Sequence, residues 1–316
     1  MTRRFVLAVA VAALVSACGA PRPLGLDVRA GDRVATPTSS THYRAAADAD
    51  ALAASLRWTP AALPLVSAHR GGPTSGLPEN SLAAFESSLN FAPALIEVDV
   101  RHTADDHLVL LHDETLERTT TGTGSLDARS FAQVRALRLL DGRGTMTSYR
   151  VPTLDEALAW AEGRAVLLLD VKRGVSFERV VTAVRTARAA NRVVVIVYSL
   201  ADHRALATLA PELVVSTPTT TDAEVDALLA SGLDLSRTIA FAGVGVPDAA
   251  LVARLHAAGL RVQAGTFPLD PTAISAADPS LYTPYFETGV DVLATDNVPG
   301  AAIAVQREAL RRRRMR

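Results

Sequence analysis

The chain of 316 residues has one cysteine, Cys18, and one lysine, Lys172, although Lys and Arg together number 32. A single cysteine excludes an internal disulfide and any cysteine-rich zinc or iron–sulfur site. Aromatic residues make up only 5% of the chain and the formal net charge is −1, so the basic, aromatic-interleaved surface of a nucleic-acid binder is missing. In a chain that writes nearly every other cation as Arg, Lys172 hints at a position that uses a compact ammonium rather than a planar fork. What is present, 49% hydrophobic and 21% charged residues, is enough to bury a large core.

Met1-Thr2-Arg3-Arg4 is followed by an apolar run from Phe5 to Val15 and then by Ser16-Ala17-Cys18-Gly19. A basic start, a short apolar stretch and small residues behind it make a secretory signal, too short to span a membrane. Val15-Ser16-Ala17-Cys18-Gly19 resembles the lipobox of bacterial lipoproteins. Residues 1–18 therefore read as a lipoprotein signal peptide, with Cys18 lipidated and the protein anchored to the outer side of the bacterial cell membrane. Plain cleavage after a small residue such as Ala20, releasing a soluble protein, is the alternative. Residues 19–64 turn to Ala, Pro, Thr, Ser and Asp, which suits a tether carrying one helix at 45–57.

From residue 65 onward, Val-, Leu- and Ile-rich runs at 65–68, 95–100, 166–171, 193–198, 213–216, 238–242, 261–264 and 292–295 predict eight strands. Helical-period stretches lie between them, at 81–90, 153–161, 177–190, 201–209, 222–230 and 248–258, weakly at 281–287, and finally at 299–311. Alternating strands and helices with near-continuous apolar strands imply a parallel sheet covered on both faces. Eight such units in 65–316 fit an α/β fold of the (β/α)8 TIM-barrel type better than a doubly wound open sheet. The second unit carries an insertion at about 101–150, with a strand-like piece at 108–111, a polar run at 118–125 and a helical piece at 130–140. Insertions in barrels gather at the C-terminal face, so this one is expected over the site.

Reactive residues in a barrel follow or end strands. His69-Arg70-Gly71-Gly72 follows the first strand, Glu97-Val98-Asp99 ends the second, His112-Asp113 follows the strand-like insert, and Asp170-Val171-Lys172 closes the third. Carboxylates two residues apart share a face, so Glu97, Asp99 and Asp170 crowd together and would repel if left bare. An oxygen-only set calls for a hard cation, Ca2+ or Mg2+; a purely structural network with Arg side chains is the alternative. His69 and His112 flank this cluster and can divide general-base and general-acid roles, while His102 and His107 lie in a polar stretch and receive no role. Arg70 and Lys172 supply the positive charge that a phosphate requires. A metal, two acid–base groups and two cations specify phosphoryl transfer more naturally than acyl or hydride chemistry.

These motifs resemble the glycerophosphodiester phosphodiesterase family. Ser67-Ala68-His69-Arg70-Gly71, Pro78-Glu79-Asn80-Ser81, Ile96-Glu97-Val98-Asp99-Val100 and Leu110-Leu111-His112-Asp113 carry the resemblance, with Leu116-Glu117-Arg118-Thr119-Thr120 running on to Gly122-Thr123-Gly124. Val151-Pro152-Thr153-Leu154, Asp170-Val171-Lys172 and the closing Thr295-Asp296-Asn297-Val298-Pro299 extend it. The resemblance implies a barrel enzyme that hydrolyses glycerophosphodiesters to glycerol 3-phosphate and an alcohol. By position it makes His69 and His112 the acid–base pair, Glu97, Asp99 and Asp170 the metal ligands, and Arg70 and Lys172 the phosphate contacts. It also puts Glu79 at a site carboxylate, although an acidic residue beside the helix start at Ser81 needs no such role.

Two positions depart from the family pattern. Relatives often carry Glu where this chain has Asp170, and a Trp-Thr-Val-Asn-like run where it has Val262-Gln263-Ala264-Gly265-Thr266-Phe267. Phe267 is then either an apolar wall of the alcohol pocket or core packing. Two further functions stay open at this point: a sphingomyelinase D-like phospholipase forming a cyclic phosphate, and a non-catalytic surface lipoprotein that binds ligand through an inherited pocket. Residues 119–124 lack the Walker spacing and read as a lid or brace. The C-terminal arginines from Arg311 complement a helix dipole or touch anionic lipid.

Overall fold

The structure, a computed structural model, describes residues 42–315. The signal-like run, Cys18 and most of the tether lie outside the described residues. The expected eight strands form a closed parallel barrel: β1 (Leu65–Ala68), β2 (Ala94–His102), β4 (Val166–Val171), β5 (Val193–Ile196), β6 (Val214–Pro218), β7 (Thr238–Val244), β8 (Arg261–Gly265) and β9 (Val292–Thr295). β1 pairs with both β2 and β9, which closes the ring. The additional short strand β3 (Leu108–Leu110) belongs to the insertion and pairs antiparallel with the end of β2.

Side-chain alternation divides each strand between two cores. Leu65, Leu95, Val166, Leu168, Val194, Val214, Ile239 and Val292 face inward and pack as one buried cluster with Leu52, Ala53 and Leu56 of α1 (Ala49–Leu56). Because most of these residues open their strands, α1 plugs the N-terminal end of the barrel. Its start is fixed by Asp48, whose carboxylate accepts from the Ala51 amide at 2.8 Å. The outward residues, among them Val66, Ile96, Val98, Leu167 and Leu169, pack under the surrounding helices.

Those helices are α2 (Leu82–Ser88), α4 (Leu154–Ala161), α5 (Phe177–Thr186), α6 (Leu200–Leu209), α7 (Asp222–Leu229), α8 (Ala249–Ala257), α9 (Asp270–Ala276), α10 (Thr283–Glu287) and α11 (Val298–Arg314). α3 (Phe131–Ala136) lies in the insertion. α5 is shorter than its apolar period suggests: Arg188 takes a left-handed φ of 49° just beyond it. α9 has no counterpart in the sequence pattern, being short and opened by Asp270-Pro271. The insertion has its own small core of Val109, Leu111, Leu116, Leu126, Val134, Leu139 and Val151. No helix of the described residues is long and apolar enough to cross a membrane.

His203 of α6 is 2% exposed and its Nδ1 has no hydrogen-bond partner among the described residues. Burial, helped by Arg204, lowers its pKa from 6.5 to about 4. The unfolded chain therefore takes up this proton first, so the stability due to neutral His203 is complete above pH 6.5 and is lost as pH falls toward 4. That loss amounts to about 3 kcal/mol. Urea unfolding at pH 7 and pH 4.5 should show His203→Leu losing less stability than the unsubstituted protein. Equal losses would mean that His203 protonates without cost.

Candidate active site

The register of β2 against β4 builds the acidic cluster. Asp99 lies opposite Asp170, and Glu97 opposite Leu168, so the three carboxyl groups face the barrel axis near its C-terminal end. One oxygen from each of Glu97, Asp99 and Asp170 lies within 4.8 Å of the others. Lys172 answers this charge. Its Nζ is 2.7 Å from Asp99 Oδ1 and also donates to Asp170 Oδ2. Asn80 Nδ2 donates to Asp99 Oδ2 at 2.6 Å, the Tyr198 hydroxyl donates to Asp170 Oδ1, and the Arg70 amide donates to Glu97 Oε2 at 2.6 Å.

One ammonium does not balance three carboxylates. Burial, then the charges of Asp99 and Asp170, push Glu97 well above the usual carboxylate range. Burial works the same way on Asp99, but Lys172 and Asn80 outweigh it and hold that carboxyl below its ordinary value. Despite its own burial, Lys172 is held above the ordinary lysine range by Asp99 and Asp170. A convergent, oxygen-only donor set that is short of positive charge fits a hard divalent cation. The purely structural alternative required arginine partners for all three carboxylates; the partners found are chiefly Lys172, Asn80, Tyr198 and a backbone amide, with Arg70 Nε only at 3.9 Å from Asp99 Oδ2.

His69 and His112 line the same cavity, together with Glu97, Asp170 and Lys172. Each is gripped by an aspartate: His69 Nδ1 lies 2.7 Å from Asp296 Oδ1, and His112 Nδ1 lies 2.7 Å from Asp113 Oδ1. A carboxylate accepts, so Nδ1 carries the proton in each pair and Nε2 is left free for a substrate. Hydrogen bonds from Arg118 hold the Asp113 carboxyl far below its usual range, which keeps it an acceptor.

His69 sits on a tight turn. Arg70, Gly71 and Gly72 all have left-handed φ, and a Cβ on Gly71 would lie 2.2 Å from the Phe85 ring. Beyond Asp296, the buried carboxylate of Asp270 accepts from the hydroxyls of Thr266, Tyr282 and Thr295 and from the Asp296 amide at 2.8 Å. This hub fixes the loop that orients His69. On the other side, the insertion lies over the site as expected: the Leu111 amide donates to Asp99 O at 3.0 Å and sets His112 beside the acidic cluster.

Arg70 Nη1 donates to both oxygens of Glu79 at 3.2 Å, and Arg118 donates to the same carboxylate at 2.8 and 2.9 Å. Glu79 thus braces two arginines at the rim instead of serving the start of α2. His102 and His107 pair with Asp106 and Asp105 of their own loop, away from the cluster. The cavity, about 270 Å3, is closed opposite the charges by residues of β5 to β9. Phe267 is one of its walls, its ring 4.2 Å from that of His69. The sequence pattern singled out neither Tyr198 nor Asp270. Asp113 and Asp296 were visible only as neighbours of better-marked residues.

The glycerophosphoryl diester phosphodiesterase family model matches residues 69–299. A glycerophosphodiester phosphodiesterase of Caldanaerobacter subterraneus subsp. tengcongensis is 31% identical over 156 residues, which are 47% of this chain and 64% of that protein. Glycerophosphodiester phosphodiesterase 1 of Bos taurus is 42% identical over 95 residues, 29% of this chain and 28% of that one. The chain thus matches less than two thirds of the length of these curated relatives. Among solved structures, a glycerophosphoryl diester phosphodiesterase from Parabacteroides distasonis is 31% identical, with a TM-score of 0.79 over 85% of this chain and 95% of that one. With the family model covering most of the barrel from His69 onward, the chain belongs to the glycerophosphoryl diester phosphodiesterase family.

Proposed function

We propose that this protein hydrolyses glycerophosphodiesters to glycerol 3-phosphate and an alcohol, with a divalent cation, Ca2+ or Mg2+, at Glu97, Asp99 and Asp170. The observation that carries the reading is the pair of aspartate-held imidazoles, His69 and His112, lining one cavity with Glu97 and Asp170 of the three convergent carboxylates. Two histidines with free Nε2 atoms suit a reaction in which one group removes a proton and another delivers one. Similarity to proteins named for this activity supports the substrate class.

The bound cation supplies neutralisation of phosphate oxygens, which lowers the cost of bringing an anion against carboxylates. The chain's own groups do the rest. Nε2 of one histidine takes the proton of the attacking hydroxyl or water, and the other histidine, entering the step as the imidazolium with both ring nitrogens protonated, gives its Nε2 proton to the departing alcohol oxygen. Asp296 and Asp113 stabilise the imidazolium that forms on each ring in turn. Arg70 and Lys172 contribute cationic donors beside the phosphate, and Glu79 with Arg118 keeps Arg70 at the rim. We infer as well that the protein is exported and anchored through Cys18; the apolar run before it and the small residues around it support this.

Excess EDTA should abolish choline release from glycerophosphocholine, and added Ca2+ or Mg2+ should restore it. Undiminished turnover in EDTA would refute the metal role. His69→Ala and His112→Ala should each lower kcat by at least about a hundredfold with the circular dichroism spectrum unchanged. A near-native rate in either variant would remove that histidine from the mechanism.

A further inference from the structure

The three carboxylates of the acidic cluster are not held alike. Asp99 is wholly buried, and Asn80 grips it twice: Nδ2 donates to Asp99 Oδ2 at 2.6 Å, and Oδ1 accepts from the Asp99 amide at 2.9 Å. Glu97, also buried, accepts from the Arg70 amide at 2.6 Å. Asp170 is the open member, its side chain 16% exposed against 1% for Asp99. Among the described residues it accepts from no backbone amide. Its Oδ2 accepts from Lys172 at 2.5 Å, an ammonium that it shares with Asp99. Its Oδ1 accepts from the Tyr198 hydroxyl, and that phenol is the one donor Asp170 has to itself among the described residues.

The fold places this hydroxyl with some care. Asp170 of β4 lies opposite Ile196, the last residue of β5, and side chains two residues apart share a face. Tyr198 therefore projects to the same side as Ile196, one step nearer the mouth. The Val197 amide donates to Ser216 O at 3.0 Å, which keeps the chain extended past the strand. Ser199 Oγ then caps α6 by accepting from the Asp202 amide at 3.1 Å. The backbone of Tyr198 is thus anchored on both sides, although the residue is 42% exposed. Arg173, itself exposed, lies over the ring with Cζ 5.6 Å from its centroid. The turn that carries Arg173 is closed by the Val175 amide donating to Lys172 O at 3.0 Å.

One oxygen of Asp170 lies within 4.8 Å of oxygens of Glu97 and Asp99. Repulsion turns the least enclosed of three such groups toward solvent unless a donor holds it. A carboxylate oxygen offers two lone-pair directions, so Oδ1 can accept from the phenol and face a cation at once. Losing an outer partner of this kind weakens metal binding by roughly 10–100-fold.

We propose that Tyr198 is a positioning residue for the divalent cation: its hydroxyl, with the ring braced by Arg173, keeps Asp170 turned toward Glu97 and Asp99 before the cation binds. This rests on the divalent-cation reading above and deepens it. Tyr198 acts through Asp170.

Isothermal titration calorimetry of the metal-stripped full chain with CaCl2 and with MgCl2 reads the affinity without turnover. Tyr198→Phe removes only the hydroxyl and should raise the Kd by at least about tenfold with the circular dichroism spectrum unchanged. Its hydrolysis of glycerophosphocholine should return toward that of the unsubstituted protein as the metal is raised. Either a native Kd or turnover that stays low at saturating metal overturns the assignment. If Tyr198→Phe proves unfolded, Arg173→Gln decides in its place: a Kd raised by about twofold or more sustains the assignment, and a native Kd overturns it. An unsubstituted protein that binds neither ion brings down the cation reading as well, a result distinct from equal affinities in the protein and its variant.

Discussion

Everything at the mouth of this barrel depends on one cross-strand coincidence, Asp170 of β4 directly opposite Asp99 of β2. A slip of one residue would turn Glu97 and Asp99 into the helix layer and present Val98 to the axis, exchanging a charged site for a greasy one and a buried core for a charged one. Hydrophobic alternation holds the register: Ile96, Val98, Leu167 and Leu169 are fully buried on the outer face. The ladder runs one step beyond the strands, where the Lys172 amide donates to Val100 O at 3.1 Å and sets the ammonium beside the carboxylates it serves. The residue that keeps the cluster from being wholly bare is thus positioned by the hydrogen bonds that create the crowding.

The two histidines reach the cluster at different structural cost. His112 comes on the insertion, whose core is small but complete and whose Arg118 ties Asp113 to Glu79. His69 comes on a turn that holds Arg70 at a φ of 51°, a conformation costing a non-glycine residue about 1 kcal/mol. The neighbours offset this. The Arg70 amide is bound by Glu97, its carbonyl accepts from the Asn80 amide at 2.9 Å, and Asn80 grips Asp99 from both ends of its side-chain amide. The strained turn at Arg70 is therefore coupled to the acidic cluster, and through His69 and Asp296 to Asp270.

Much of this was legible in the residues themselves. The eight apolar runs mark the eight barrel strands because each is buried on both faces, and period-two alternation alone puts Glu97 beside Asp99. Lys172 stands out by its rarity, yet its place among the carboxylates depends on a balance of three charges that no local pattern expresses. Tyr198, Asp270 and the roles of Asp113 and Asp296 stayed hidden for a similar reason. Tyr198 and Asp296 act on partners brought near by the barrel, such as His69 and Asp296 at the ends of neighbouring β1 and β9, while Asp113 holds the ring of its own neighbour His112. α9 leaves no mark in the sequence pattern because a short helix opened by Asp270-Pro271 has too few periods to declare itself.

The division of the cavity has a consequence for how such a site changes. In the charged half Glu97 and Asp99 are tied electrostatically to their neighbours: Glu97 feels Asp99, Asp170 and Lys172, and Asp99 feels Lys172, Asn80 and His112. A substitution there disturbs proton affinity across the cluster, so its effects do not add. Ile196, Phe241, Phe267 and Ala294 line the opposite half and interact through contact area, which is short-ranged and nearly additive. α1 closes the far end of the barrel. A change confined to Ile196, Phe241, Phe267 or Ala294 thus spares the charge balance that β1, β2 and β4 maintain, whereas Tyr198 and Asp296, at the ends of β5 and β9, belong to it.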